Sequence, residues 1–421
     1  TRWLNVTGVQ TCALPILTIT RLGHRGDGIA ETDAGPVFVP FTLEGETVEI
    51  ERAGERGQPH AILKPSPERV EPVCRHFGEC GGCALQHLGE APYRRFKRDL
   101  VVAALADRGI VADVGETVAV PPASRRRAVL SAVRGRAGLV VGFQKRLSHD
   151  IVALAECPVM APAIVAALPA LRDLAARLTL AKGGGRIAVL DTTSGLDVAV
   201  EDCRPPRPAE VGALTRLAME RGFARLTVAG ETLIEIRPPL LEIAGIAVVP
   251  PPSGFVQAAR AAETALAELV VAGTGKARKV VDLFSGLGTF SLPLARKAAV
   301  HAVDGDAPSL AALERALRGV SGLKKVTTER RDLFRRPLQV KELEKFEAAV
   351  FDPPRAGAKE QAVELAKARL GAIVAVSCNP ATFARDAATL IAGGWRLDRV
   401  TPVDQFLWSP HVELVATFSR P

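Results

Sequence analysis

VVDLFSGLGTF, residues 280–290, decides the fold. It reads as an apolar strand ending in Asp282, then Gly286-x-Gly288, then a helix starting near Thr289. Glycines at the carboxyl end of such a strand let the backbone approach a ligand closely. The stretch lacks the third glycine and the spacing of the dinucleotide fingerprint. Shortly afterwards VHAVDGD places Asp304 at the end of the next strand, where an acid can bind ribose hydroxyls.

Around this stretch, residues 253–421 alternate strand and helix. KVVDLF, VHAVD, KKVTTE, FEAAVFD, AIVAVS, WRLDRVTPV and HVELVATF are strand candidates, with helices of about ten residues between most of them. That alternation predicts an open, mostly parallel α/β sheet. Three more segments fall at its carboxyl edge. In FDPPRAG, residues 351–357, Asp352 ends a buried strand and two prolines stiffen the backbone after it. In VAVSCNPATFARD, residues 374–386, Cys378 follows an apolar strand and precedes a helix beginning near Pro380. A helix N-terminus lowers a thiol pKa, so a reactive thiolate is expected there. In SPHVELVATF, residues 409–418, Glu413 stands in an otherwise apolar strand. A carboxylate so placed is either paired or raised in pKa and suited to taking a proton.

Residues 17–64 read as short strands separated by Gly and Pro: LTITRL, GIAET, GPVFVPF and ETVEIERA. A small β-barrel of the oligonucleotide-binding type fits this pattern. Residues 65–252 open on a proline-stiffened linker and continue as an α+β domain. Within it PAIVAALPALRDLAARL has the spacing of an amphipathic helix. Near its start lies CRHFGECGGCALQH, with Cys74, Cys80 and Cys83; Cys157 in AECPV is the best fourth thiolate. Four thiolates suit zinc or an iron–sulfur cluster, and the spacing alone leaves both open.

The net charge is +8, from 54 Lys and Arg against 46 Asp and Glu, which fits a polyanionic partner. Aromatic residues make up only 5%, against a reader built mainly on base stacking. Seven cysteines in 421 residues are too few for a disulfide scaffold. The apolar runs break well short of the ~20 residues a membrane span needs, so no membrane partner is expected. Residues 1–16 show no signal-peptide pattern and are expected to be a non-native leader. A cytoplasmic monomer is the expectation.

Taken together, the cysteine framework, DLFSGLGTF, FDPPRAG, SCNP and HVE in that order resemble the S-adenosylmethionine-dependent RNA uracil-5-methyltransferases. The nearest likeness is to the iron–sulfur branch that makes 5-methyluridine in 23S ribosomal RNA. It covers about residues 17–421. The resemblance implies a class I methyltransferase Rossmann-like sheet over 253–421, an N-terminal TRAM barrel that binds RNA, and a central α+β domain. It implies a [4Fe–4S] cluster on Cys74, Cys80, Cys83 and Cys157. S-adenosylmethionine would be held by Gln257, Phe284, Thr289, Asp304, Asp332 and Asp352. Cys378 matches the nucleophile and Glu413 the base. Three positions depart from the family pattern: Ala259 where Asn is frequent, Asp304 where Glu is frequent, and Phe406-Leu407-Trp408 where a Phe-Pro run is more usual.

The implied chemistry suits the residues. Uracil C5 is a weak nucleophile. Thiolate addition at C6 turns C5 into an enolate carbon that can attack a methyl sulfonium. Glu413 would then remove the C5 proton, and elimination would free Cys378. The target base would leave its stack to reach the pocket. Arg125, Arg126, Arg127, Lys145 and Arg146 are candidates to hold phosphates. Three other readings compete: a transfer RNA substrate, an adenine amino-methyltransferase suggested by DPP, and an RNA-binding assembly factor without activity. SCNP with HVE counts against the last two.

Overall fold

The computed structural model describes residues 14–135 and 138–420, so the expectation for residues 1–13 lies outside the described residues. The chain forms two compact units. One comprises the residues up to 72 together with 83–93 and 408–410; the other comprises the rest.

The first unit is a six-stranded sheet whose order runs Ile16–Thr18, Thr47–Ala53, Arg56–Lys64, Gly35–Val39, Gly28–Thr32, Arg21–Leu22. Its two edge strands, 16–18 and 21–22, are successive parts of one chain segment. Ile19 N donates to Glu46 O at 2.9 Å and Thr20 N to Ile29 O at 2.8 Å, so the segment joins both edges and closes the sheet. Closure removes the open edges that a free sheet would offer for mispairing. Alternate residues point inward, and Val37, Val39, Val48 and Ile50 fill the centre. Gly57 is required there, because a Cβ would lie 2.6 Å from the Ile50 side chain.

In the second unit, a seven-stranded sheet spans residues 127–235, and an eight-stranded sheet carries the C-terminal segment. The eight-stranded order is Val326–Arg330, Ala299–Asp304, Lys279–Leu283, Ala348–Phe351, Ala372–Ser377, Glu413–Ser419, Arg396–Asp404, Val118–Ala119. Strands 279–283 and 348–351 pair in parallel, and each leads outward to a parallel neighbour, so the strand order reverses between them. Ligands bind at the carboxyl ends of strands beside such a reversal. Glu413–Ser419 is antiparallel to its neighbours, so its first residue lies at that same edge.

Two sequence expectations shift. The helix expected over PAIVAALPALRDLAARL is two helices, Pro162–Ala166 and Leu168–Ala176. Pro169 has no N–H to continue the ladder, and the chain breaks at the preceding turn. The helix expected near Thr289 is a single turn, Ser291–Leu294. Among the described residues no helix is long and apolar enough to cross a membrane.

Candidate active site

A cavity of about 1490 Å³ opens at the carboxyl edge of the eight-stranded sheet. Gln257, Phe284, Thr289, Asp304, Asp332, Asp352, Cys378 and Glu413 all line it. Eight positions spread over more than 150 residues of sequence therefore meet at one opening.

The glycine turn has the backbone its sequence implies. Phe284, Gly286 and Gly288 have φ of 62°, 52° and 89°, a left-handed region that favours glycine. A Cβ on Gly288 would sit 2.6 Å from Leu313, whereas one on Gly286 meets nothing within 4 Å. Gly288 is thus needed for packing, and Gly286 leaves the cavity wall open. Asp304 accepts from Gly286 N at 2.8 Å and from Asp306 N at 2.7 Å. Each carboxylate oxygen keeps a further lone pair for a ligand hydroxyl. Ser285 is one of the residues lining the cavity, and its Oγ is buried with no hydrogen-bond partner. Such an orphaned hydroxyl beside an open glycine turn fits a polar ligand, and the residues present suit a nucleoside-bearing cofactor. Asp332 accepts from Phe334 N at 3.0 Å, and the Phe334 and Phe284 rings stand 5.4 Å apart.

Cys378 follows strand Ala372–Ser377, and Glu413 starts the neighbouring antiparallel strand. Ser377 pairs with Leu414, so the register sets Glu413 beside Cys378. The thiol does not have the lowered pKa expected from the helix. Burial pushes it up to about 11, with Glu413 and Asp352 adding to the rise and Arg355 opposing it. The helix Pro380–Ala392 does little to offset this. Pro380 supplies no N–H, and Asn379 already accepts from Ala381 N at 3.1 Å. Burial also pushes Glu413 well above the carboxylate range, helped by Asp352 and opposed by a hydrogen bond from Gln405. Asp352 is raised by burial and then by Asp282 and Asp304.

Further residues line the cavity that the sequence reading does not assign to the site. Gln405, Phe406, Arg355 and His411 line the cavity too. Gln405 Nε2 donates to Gln257 Oε1 at 2.8 Å and to Glu413 Oε2 at 2.6 Å. Arg355 anchors the loop after Cys378, its carbonyl accepting from Asn379 Nδ2 at 3.1 Å. No local signal marks Gln405. Arg355 and His411 stand inside FDPPRAG and SPHVELVATF, beside Asp352 and Glu413. The Ala259 departure is not among the cavity-lining residues; Ala259 is buried in the core at the N-cap of helix Arg260–Gly273.

Arg126 is a correction. It is 4% exposed, ion-paired with Glu263, and donates to Gln257 O at 3.2 Å. A guanidinium so enclosed positions the Gln257 segment and does not hold a phosphate. Arg125 and Arg127 are half-buried, and Lys145 is exposed.

Cys80 is buried, and Cys74, Cys83 and Cys157 are half-buried. Burial raises the Cys80 thiol, with Cys157 and Cys74 adding to it; burial likewise raises Cys157, with Cys74 adding. These three thiols of the second unit therefore lie near one another. Among the described residues no group of three or more His, Cys, Asp or Glu is already drawn together around a metal position. The donor chemistry itself, thiols that sense each other's charge, suits a soft metal centre. A Cβ on Gly81 would lie 3.0 Å from Gln144 O, so this glycine serves a close backbone approach to strand Gly138–Gln144.

A sheet ordered in this way, with a glycine turn, strand-end acids and a cavity at its carboxyl edge, defines a class I methyltransferase. Residues 251–420 match the family described as tRNA (Uracil-5-)-methyltransferase, and residues 17–51 match the TRAM domain. An uncharacterized RNA methyltransferase of Brucella suis is 51% identical over 96% of this chain and 97% of its own length. The 23S rRNA (uracil(1939)-C(5))-methyltransferase RlmD of Cronobacter sakazakii is 33% identical, covering 96% of each chain. The crystal structure of Pyrococcus abyssi tRNA (uracil-54, C5)-methyltransferase in complex with S-adenosyl-L-homocysteine shares the fold. Its TM-score is 0.74 at 24% identity, over 96% of this chain and 99% of that one. The chain belongs to the S-adenosylmethionine-dependent RNA uracil-5-methyltransferase family.

Proposed function

We propose that this enzyme methylates C5 of a uridine in 23S ribosomal RNA, with Cys378 as nucleophile and Glu413 as base. The observation that carries the reading is the strand register that sets Glu413 beside Cys378 on the cavity lined by Asp352 and the glycine turn. The Cronobacter relative, similar over nearly the full length of both chains, supports the ribosomal substrate.

S-adenosylmethionine, when bound, supplies an electrophilic methyl group. Gln257, Phe284, Thr289, Asp304, Asp332 and Asp352 would hold it, Asp304 through its free lone pairs. Arg355 favours the Cys378 thiolate, which adds to C6 and makes C5 nucleophilic. After C5 is methylated, Glu413 takes the C5 proton, the C5–C6 double bond re-forms, and the sulfur leaves. The TRAM unit would grip flanking RNA, as would Arg125, Arg127, Lys145 and Arg146 on their charge. A cytoplasmic monomer belongs to the same reading.

The cluster is a separate part of the proposal. On the resemblance to the iron–sulfur branch, Cys74, Cys80, Cys83 and Cys157 would hold a [4Fe–4S] centre. Four thiolates leave no vacant position, so its role would be structural. Protein purified anaerobically should then carry bound iron and acid-labile sulfide, and a Cys80→Ala variant should not.

The deciding experiment supplies S-adenosylmethionine with unmodified 23S or transfer RNA fragments and measures 5-methyluridine by mass spectrometry, with Cys378→Ala alongside. Product from the 23S fragment with wild type alone is the expected result. Product from transfer RNA alone would move the substrate to the reading that the Pyrococcus fold neighbour represents. No product from either, with cofactor bound, would leave an inactive RNA-binding factor. A 5-fluorouridine RNA should trap wild type covalently, because fluorine at C5 cannot leave as a proton.

A further inference from the structure

Gln405 follows strand Arg396–Asp404 and is 3% exposed. Its carbonyl Oε1 accepts from Ala258 N at 3.0 Å. A backbone amide can only donate, so this bond settles which end of the Gln405 amide is which. The –NH₂ end must face the other way, where both its protons are used: one on Gln257 Oε1, one on Glu413 Oε2. Gln257 is oriented in turn, because its oxygen faces Gln405 and its Nε2 faces Asp352 Oδ2 at 3.4 Å. Reversing Gln405 would set donor against donor at Ala258 and oxygen against oxygen at Glu413. The network is fully satisfied in one polarity only, and such buried networks hold their geometry tightly.

We propose that Gln405 is the positioning residue for the base: its amide occupies Glu413 Oε2, so that Oε1 is the oxygen that takes the C5 proton. The inference rests on Glu413 acting as base and deepens that reading. The proton moves from C5 to Oε1, the C5–H electron pair forms the C5–C6 double bond, and the C6–S pair returns to Cys378. The hydrogen bond at Oε2 survives the transfer, since a protonated carboxyl still accepts at its carbonyl oxygen. Gln405 also ties the base to Gln257 on the cofactor side of the cavity.

The test separates methyl transfer from proton removal in one turnover. RNA tritiated at C5 of uridine is mixed with enzyme and methyl-labelled S-adenosylmethionine. Methyl incorporation and tritium release are followed together for wild type, Gln405→Met, Gln405→Glu and Glu413→Gln. Methionine keeps the length and apolar volume but donates nothing. Glutamate keeps the acceptor for Ala258 N and supplies no amide protons. Positioned general bases contribute about 10²–10⁴-fold, so losing the orientation should slow tritium release about tenfold or more. Methyl incorporation should change much less, and a denaturation-resistant protein–RNA adduct should accumulate with both variants. Equal slowing of the two signals, or no slowing of either, in the variant that still binds cofactor overturns the proposal. Tritium release by Glu413→Gln at the wild-type rate would instead overturn Glu413 as the base.

Discussion

Lys97 Nζ lies 2.7 Å from Asp404 Oδ1, and the two side chains are 0% and 2% exposed. The same ammonium donates to the carbonyls of Phe406, at 3.2 Å, and of His411. A buried ion of this kind is expensive unless every donor and acceptor is met, and here three partners meet it. One lysine thus fixes the start of the segment that leads from Asp404 to Glu413. Lys97→Ala should cost about 3–5 kcal/mol, because it removes the buried cation that faces the Asp404 carboxylate. Urea unfolding of wild type, Lys97→Ala, Asp404→Ala and the double variant checks this. The double variant should lose less than the sum of the singles, since the two residues share one interaction.

The glycine turn makes a prediction that separates packing from ligand approach. Gly288→Ala drives a Cβ to 2.6 Å from Leu313 at a φ of 89° and should lower stability. Gly286→Ala meets open space at a φ of 52° and should cost only about 1–2 kcal/mol of backbone strain. Its added methyl faces the cofactor region, so binding should suffer out of proportion to stability. Calorimetric titration with S-adenosylhomocysteine, beside thermal melts of both variants, tests the separation.

Because the Cys378 thiol is raised to about 11, it is neutral at pH 7 in the free enzyme. Its thiolate fraction should grow about tenfold per pH unit until that value is approached. Iodoacetamide labelling, mapped to Cys378 by mass spectrometry, should therefore accelerate steadily from pH 7 to pH 10. Glu413 adds to the rise as an anion, so Glu413→Gln should move the labelling curve to lower pH. Arg355→Gln removes the cation that opposes the rise and should move it to higher pH. Superimposable curves would deny the proximity of these groups.

Arg126→Ala should act on folding and on the Gln257 segment, not on RNA affinity. It strips a 4%-exposed cation from Glu263 and should destabilise by about 3–5 kcal/mol. The salt dependence of RNA binding should be unchanged, since no phosphate contact is lost. Lys145→Ala, at an exposed cation, is the complementary variant: stability near wild type and a shallower salt slope. Filter binding across a salt series distinguishes the two.

The sequence by itself determined the C-terminal sheet and the positions that meet at its edge. Strand ends, the Gly286 and Gly288 turn, Asp304, Asp352, Cys378 and Glu413 were legible because each requirement is local: period, backbone freedom, or a break after an apolar run. The tertiary structure decided what those groups experience. Desolvation beside Glu413 and Asp352 raises the Cys378 thiol, against the helix argument that a local reading favours. Burial against Glu263 turns Arg126 from a phosphate candidate into an internal ion pair. Gln405 gave no sequence signal at all, since its partners at Gln257 and Ala258 lie 148 and 147 residues away. Hydrogen-bond polarity and dielectric environment come from neighbours that only the fold assembles.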